Sequence, residues 1–175
     1  MTHSISLSST LLVIVLVFLL PLIRSDDLIN RTCKKTPYYD LCVSSLQSNS
    51  QASSADVKGL ASTMANITLS NATHTLYYSQ EIIDQNTNPE LERALTYCAE
   101  VYIPIVDYIL PQAIDGVRNG HFGFFKYGIL DAEEKVQACD KKIPDSVKLP
   151  LTEMNRVMQN LCNVSVALIK ILLKG

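Results

Sequence analysis

From residue 54 onward, apolar side chains return every three or four positions in four successive stretches. The first opens at Ser54, a candidate cap, and carries Val57, Leu60, Ala61, Met64, Ile67, Thr68, Asn71, Tyr78 and Ile82 before Asn86 to Pro89 end it. The second opens at Glu90 and carries Leu91, Leu95, Cys98, Tyr102, Ile105, Val106, Ile109 and Ala113, closing at Gly116 to Gly120. The third spans Phe122 to Asp140, with Phe122, Phe125, Ile129, Ala132, Val136 and Cys139 on one stripe. The last repeats Leu151, Met154, Met158, Leu161, Ser165, Leu168 and Leu172 in a 3-4-3-4 rhythm. Each spacing lines one face of an α-helix, and none shows the alternation of a strand. Pro104 and Pro111 fall inside the second stretch and predict a kink or break, because each removes a donor and crowds the preceding turn. Four long helices with short connections predict an all-α, up-down-up-down bundle.

Ahead of the bundle, residues 26–48 read as two short helices around Thr36-Pro37, with threonine as cap and proline in the first turn. The Ser/Gln/Asn-rich run from Ser44 to Ser54 reads as a linker. The domain expectation is a hairpin over 26–50 and a bundle over 53–175. Leu11 to Ile23 is an unbroken apolar run followed by Arg24 and Ser25. At about 13 residues it falls short of the ~20 that span a bilayer. Residues 1–25 therefore read as a signal peptide. Its removal leaves 14 basic and 17 acidic side chains, a balance with no general nucleic-acid surface. It also leaves no membrane segment expected in the exported protein.

Export changes how the five cysteines are read, since unpaired thiols are exceptional in an oxidising compartment. They are Cys33, Cys42, Cys98, Cys139 and Cys162. Two bridges drawn from five cysteines allow about 15 pairings. Locality favours Cys33 with Cys42, around the turn, a closure stabilising by roughly 3 kcal/mol. A Cys98–Cys139 bridge would tie the second helix to the third for roughly 4 kcal/mol. No C-x-x-C spacing is present, so neither a zinc knuckle nor a thioredoxin-type pair is expected. Asn30, Asn66, Asn71 and Asn163 head N-x-S/T sequons and are candidate glycosylation sites, with Asn163 in a helix that folding would bury.

Catalytic chemistry finds no support. His74 and His121 lack companions at metal-ligand or triad spacing. Asp131, Glu133 and Glu134 read as a solvated face beside Lys135, not as a working carboxylate pair. Cys162 reads as a buried, inert thiol. No hydrolase, P-loop or dinucleotide motif occurs. No catalytic residue, metal or cofactor is expected. The densest aromatic cluster is Phe122, Phe124, Phe125 and Tyr127, joined by Lys126. Phe122 and Phe125 lie on the core stripe. Phe124 and Tyr127 point elsewhere, either to a partner or against the second helix. His121 adjoins this segment and is a candidate contact residue.

With T-C-K-K-T-P-Y-Y-D-L-C at residues 32–42, the Cys98-to-Cys139 separation, Asp131-Ala132-Glu133, and the apolar last helix with Cys162, the chain resembles the plant invertase and pectin methylesterase inhibitor family. It looks closest to the invertase-inhibitor type. The resemblance implies an N-terminal helical hairpin on a four-helix bundle, with bridges Cys33–Cys42 and Cys98–Cys139. It implies secretion to the cell wall or, second, the vacuole. It also implies 1:1 occlusion of the active-site cleft of acid invertase or pectin methylesterase. Cell-wall invertase inhibitors carry Pro-Lys-Phe at the start of the third bundle helix. Here that position reads Phe122-Gly123-Phe124, keeping the phenylalanine alone. The expected contact residues are His121, Phe122, Phe124, Lys126 and Tyr127, with the facing second helix. The competing expectation is a secreted helical-bundle interaction protein, allergen-like, that inhibits nothing.

Overall fold

The structure, a computed structural model, describes residues 27–85, 88–144 and 150–174. The expected leader, residues 1–25, lies outside them. The helices are α1 (27–33), α2 (Tyr39–Gln47), α3 (Val57–Gln85), α4 (Pro89–Pro104), α5 (Leu110–Arg118), α6 (Phe122–Asp140) and α7 (Pro150–Lys174). A 3₁₀ turn, Ser50–Ser54, precedes α3, and a π-helical turn, Ile105–Ile109, joins α4 to α5. No strand occurs among the described residues.

The bundle runs α3 up, α4–α5 down, α6 up and α7 down. Around its axis α3 packs on α7, α7 on α6, α6 on α5 and α4, and these on α3. The lower end of α5 meets the start of α3, where the Lys58 ammonium donates to the Arg118 carbonyl over 2.8 Å. α7 is long and apolar enough to cross a membrane, yet Leu151, Met158, Leu161, Cys162, Leu168 and Ile169 are buried in the bundle. It is the core helix that the 3-4 rhythm predicts.

Two disulfides hold the architecture. Cys33–Cys42 clamps α1 to α2, with Cα atoms 5.6 Å apart. Cys98–Cys139 ties α4 to α6, with Cα atoms 4.7 Å apart. Ile29, Cys33, Cys42 and Leu46 are buried in the same apolar cluster as the bundle, so the hairpin lies on its own chain's α3 and α7.

Local punctuation differs from the sequence expectation in four places. The Thr36 hydroxyl donates to the Cys33 carbonyl over 2.8 Å, so it closes the end of α1. It does not cap α2, which begins two residues beyond Pro37. The run Ser44–Gln47 is helical, not linker. Asp56, not Ser54, caps α3: its carboxylate accepts the Gly59 amide over 2.7 Å. Asn88 caps α4 through the Glu90 and Leu91 amides, at 2.9 and 3.3 Å, with Pro89 already inside the helix. The expected proline disruption takes the form of the π turn, which follows Pro104 directly and keeps the helix continuous into α5.

The upper half of α3 also faces inward differently. Ala72, Thr75, Leu76 and Ser79 are buried, whereas Asn71, Tyr78 and Ile82 sit half-buried at the edge. The Thr68, Thr75 and Ser79 hydroxyls each donate to the carbonyl four residues back over 2.9 Å. A hydroxyl satisfied by its own helix can enter a core without a lost partner.

Candidate functional site

The segment His121–Tyr127 starts where α5 stops. The His121 amide donates to the Gly116 carbonyl over 2.7 Å and the Gly120 amide to Val117 over 3.2 Å. These paired bonds form the Schellman closure of a helix end. Gly120 occupies its left-handed position at φ +80°. The turn therefore aims the first turn of α6 in one direction relative to α5.

Two glycines set how closely these helices approach. A Cβ on Gly128 would lie 2.9 Å from the Ala113 Cβ, and one on Gly116 would lie 3.0 Å from the Phe124 ring. Phe125 is fully buried, and Phe122 is half-buried against the core. Phe124 remains 51% exposed with its ring edge on Gly116, and Tyr127 is 71% exposed. Phe124 thus packs against α5, as one of the two expectations had it, and still presents a face to solvent. Lys126 is half-buried and His121 exposed, and His121 makes no side-chain cap on α6.

Leu130, 42% exposed, continues the Phe124–Tyr127 stripe by one turn. The sequence reading missed it because it weighted aromatics, although three-residue spacing from Tyr127 places it on the same face. Farther along, Asp131 and Lys135 pair at 3.5 Å. Glu133 departs from the expected solvated face. Its carboxylate accepts the Asn163 amide over 2.8 Å, joining α6 to α7. The result is a helix face with three exposed large apolar side chains near one end of the bundle. Ile103 and Tyr108, on α4 and the π turn, are also exposed.

The other candidates fall elsewhere. His74 is exposed on α3. Among the described residues no cluster of His, Cys, Asp and Glu is arranged to hold a metal. Cys162 is fully buried, and burial pushes its thiol well above the ordinary range. That suppresses thiolate formation, which a reactive cysteine needs. Asn30 accepts the Tyr39 hydroxyl over 3.0 Å, while Asn66 and Asn71 donate to carbonyls one turn back over 2.8 and 2.9 Å.

The sequence profile of the plant invertase/pectin methylesterase inhibitors matches residues 27–168, from the start of α1 into α7. The chain belongs to this family. Members of the family are inhibitors of enzymes, not enzymes themselves. Among relatives, the chain is 34% identical over 147 residues to the cell wall / vacuolar inhibitor of fructosidase 1 of Arabidopsis thaliana, covering 84% of this chain and 70% of that protein. It is 27% identical over 172 residues to the pectinesterase inhibitor of Actinidia deliciosa, covering 94% of this chain and 92% of that one. A crystal structure of a mutant pectin methylesterase inhibitor from Arabidopsis superposes with a TM-score of 0.70 at 22% identity, over 79% of this chain and 93% of that one. This inhibitor-family bundle therefore shares its fold with a solved member. Two of the relatives are named for the cell wall and vacuole, which is consistent with secretion of this chain.

Proposed function

We propose that this protein is a secreted inhibitor that docks one-to-one on a plant acid invertase and covers its catalytic cleft. The observation that carries the reading is the exposed Phe124–Tyr127–Leu130 face on a closely packed turn and helix pair. A partner need not order this surface, so little docking free energy is spent on stiffening it. Exposed aromatic anchors on such a surface are what dominate binding at protein interfaces. The relative inhibiting fructosidase supports invertase as first target. Pectin methylesterase is the second reading, favoured by the near full-length match to the Actinidia inhibitor. His121 and Lys126 would rim the contact, and Phe122 would contribute only its outer edge. Export to the wall, with the vacuole as the other destination, supplies both enzymes as neighbours.

The test mixes the oxidised, leader-free protein with purified acid invertase and, separately, with pectin methylesterase, and follows residual activity. Inhibition of invertase at sub-micromolar protein is expected. Replacing Phe124 and Tyr127 together by Ala should weaken it about 30-fold or more, the loss of one hot spot's worth of binding. Inhibition of the esterase alone transfers the reading to the second target. Loss of neither activity returns the protein to the non-inhibitory class.

A further inference from the structure

The same end of the bundle carries a second feature. There the turn after α1, the first residue of α3 and the last turns of α7 meet around a cleft of about 540 Å³. It is lined by Lys35, Val57, Ala167, Lys170, Ile171, Leu172 and Lys174. Ala167, Lys170, Ile171 and Lys174 follow one another at i, i+3, i+4 and i+7, so they form a single stripe of α7. Among the described residues only Lys35 and Val57 line the cleft from outside α7. The small Ala167 leaves depth, and Val57, Ile171 and Leu172 supply an apolar floor. The aromatic face lies on α6, which packs on α7 and stands across the bundle from α3.

Of the seven described lining residues three are lysines, and none of the seven is acidic. Lys35, Lys170 and Lys174 enter no ion pair among the described residues. This local charge opposes the balance of the exported chain, in which acidic side chains outnumber basic ones by 17 to 14. A lysine stem can lie along apolar surface while its ammonium stays in water. The three ammonium groups thus form a cationic rim above a greasy floor. Pockets of this size suit a single small ligand.

We infer that this cleft is a binding site for a small amphipathic anion, an acidic head group joined to an apolar chain of fatty-acid size. The head group takes the rim of Lys35, Lys170 and Lys174, and the chain lies on Val57, Ala167, Ile171 and Leu172. A purely ionic ligand would leave the floor wet. A neutral chain would leave the rim uncompensated. The site shares no residue with the Phe124–Tyr127–Leu130 face.

The experiment is calorimetric titration of the oxidised, leader-free protein with monomeric sodium laurate, in parallel with dodecanol, an oligogalacturonate and vesicles of anionic phospholipid. Saturable one-to-one binding of laurate is expected, weakening as salt is added. Lys170→Gln with Lys174→Gln should weaken it about tenfold. Both side chains are exposed, so this variant keeps the fold. Ala167→Leu, which fills the floor and leaves the charges, should also abolish binding, with unchanged helical circular dichroism as the folding control. Dodecanol binding as tightly as laurate would reduce the cleft to an apolar patch and overturn the inference. Tighter binding of oligogalacturonate would make it a polyanion site. Binding to vesicles without binding to monomers would make it a membrane contact. Invertase and esterase inhibition, measured on the same variants, should be unchanged.

Discussion

At the scale of single residues, Gly120 and Asn163 make the most specific demands. Gly120 sits at φ +80°, and nothing lies within 4 Å of where a Cβ would stand. Gly120→Ala therefore adds no clash, and its whole cost is conformational, about 1–2 kcal/mol. Urea unfolding should report that loss, and Gly120→Asn should recover part of it, since Asn tolerates the left-handed region. Asn163 uses its amide nitrogen twice, donating to Glu133 over 2.8 Å and to the Gln159 carbonyl over 2.9 Å. A glycan attached there would break the link between α6 and α7. Peptide mapping of the folded glycoprotein should find Asn163 unmodified; a sugar on it would contradict the α6–α7 contact. Neither residue's role was legible in the chain. A glycine reveals its φ only in context, and a sequon does not disclose what its amide already holds.

At the scale of elements, the α5–α6 pair is set by contact distance. Ala113 lies where a methyl on Gly128 would need to be, and its Cβ is fixed to the backbone. Gly128→Ala should separate the helices and destabilise by about 1–3 kcal/mol, the usual range for overpacking. Gly123 is the control. It is exposed in the same helix with open space around it. Gly123→Ala should stabilise by up to ~1 kcal/mol through helix propensity alone. Equal effects from both substitutions, measured by thermal unfolding, would refute the close approach. The elements themselves were legible, because amphipathic periodicity and helix-breaking residues act locally. Their seams were less so. Thr75 and Ser79 entered the core of α3 because each hydroxyl bonds back to its own helix, which a hydropathy pattern counts as polar. Asn155 entered α7's buried face because Tyr102, on α4, donates to its side chain over 2.8 Å while its amide reaches the Cys139 sulfur and Asp140 at 3.2 and 3.3 Å. Those partners lie on two other helices, beyond the reach of any local window.

At the scale of the whole molecule, that same buried network gives the fold an alkaline limit. Burial raises the Tyr102 phenol above its ordinary value, with Cys162 and Asp140 adding to the effect and the Thr75 hydroxyl opposing it. Burial also raises the Cys162 thiol, with Glu133 adding to the effect. Both groups are neutral when protonated. Below their unfolded values, near pH 8.5 for the thiol and about 10 for the phenol, neither disfavours the folded state. As pH rises past those values the unfolded chain ionises and the folded chain does not, so stability falls. The slope approaches about 1.4 kcal/mol per pH unit for each group. Denaturant midpoints measured from about pH 7.5 to 10.5 should drop accordingly. Cys162→Ala should remove the lower step and Tyr102→Phe in that background the upper one; a flat profile for the parent protein would sink the account.

By itself the chain determined the helical class, the four amphipathic stretches, the hairpin signature and the cysteine spacing that points to an inhibitor family. These rest on short-range rules: periodicity, turn residues and the separation of a few side chains along the backbone. Helical periodicity already separated Phe125, on the core stripe, from Phe124, but tertiary structure alone decided that the Phe124 ring rests on Gly116 of α5 while half of it stays in solvent. It also brought Lys35, Val57 and the end of α7 around one cleft. Those residues are distant in sequence, and only the docking of the hairpin onto α3 and α7 makes them neighbours.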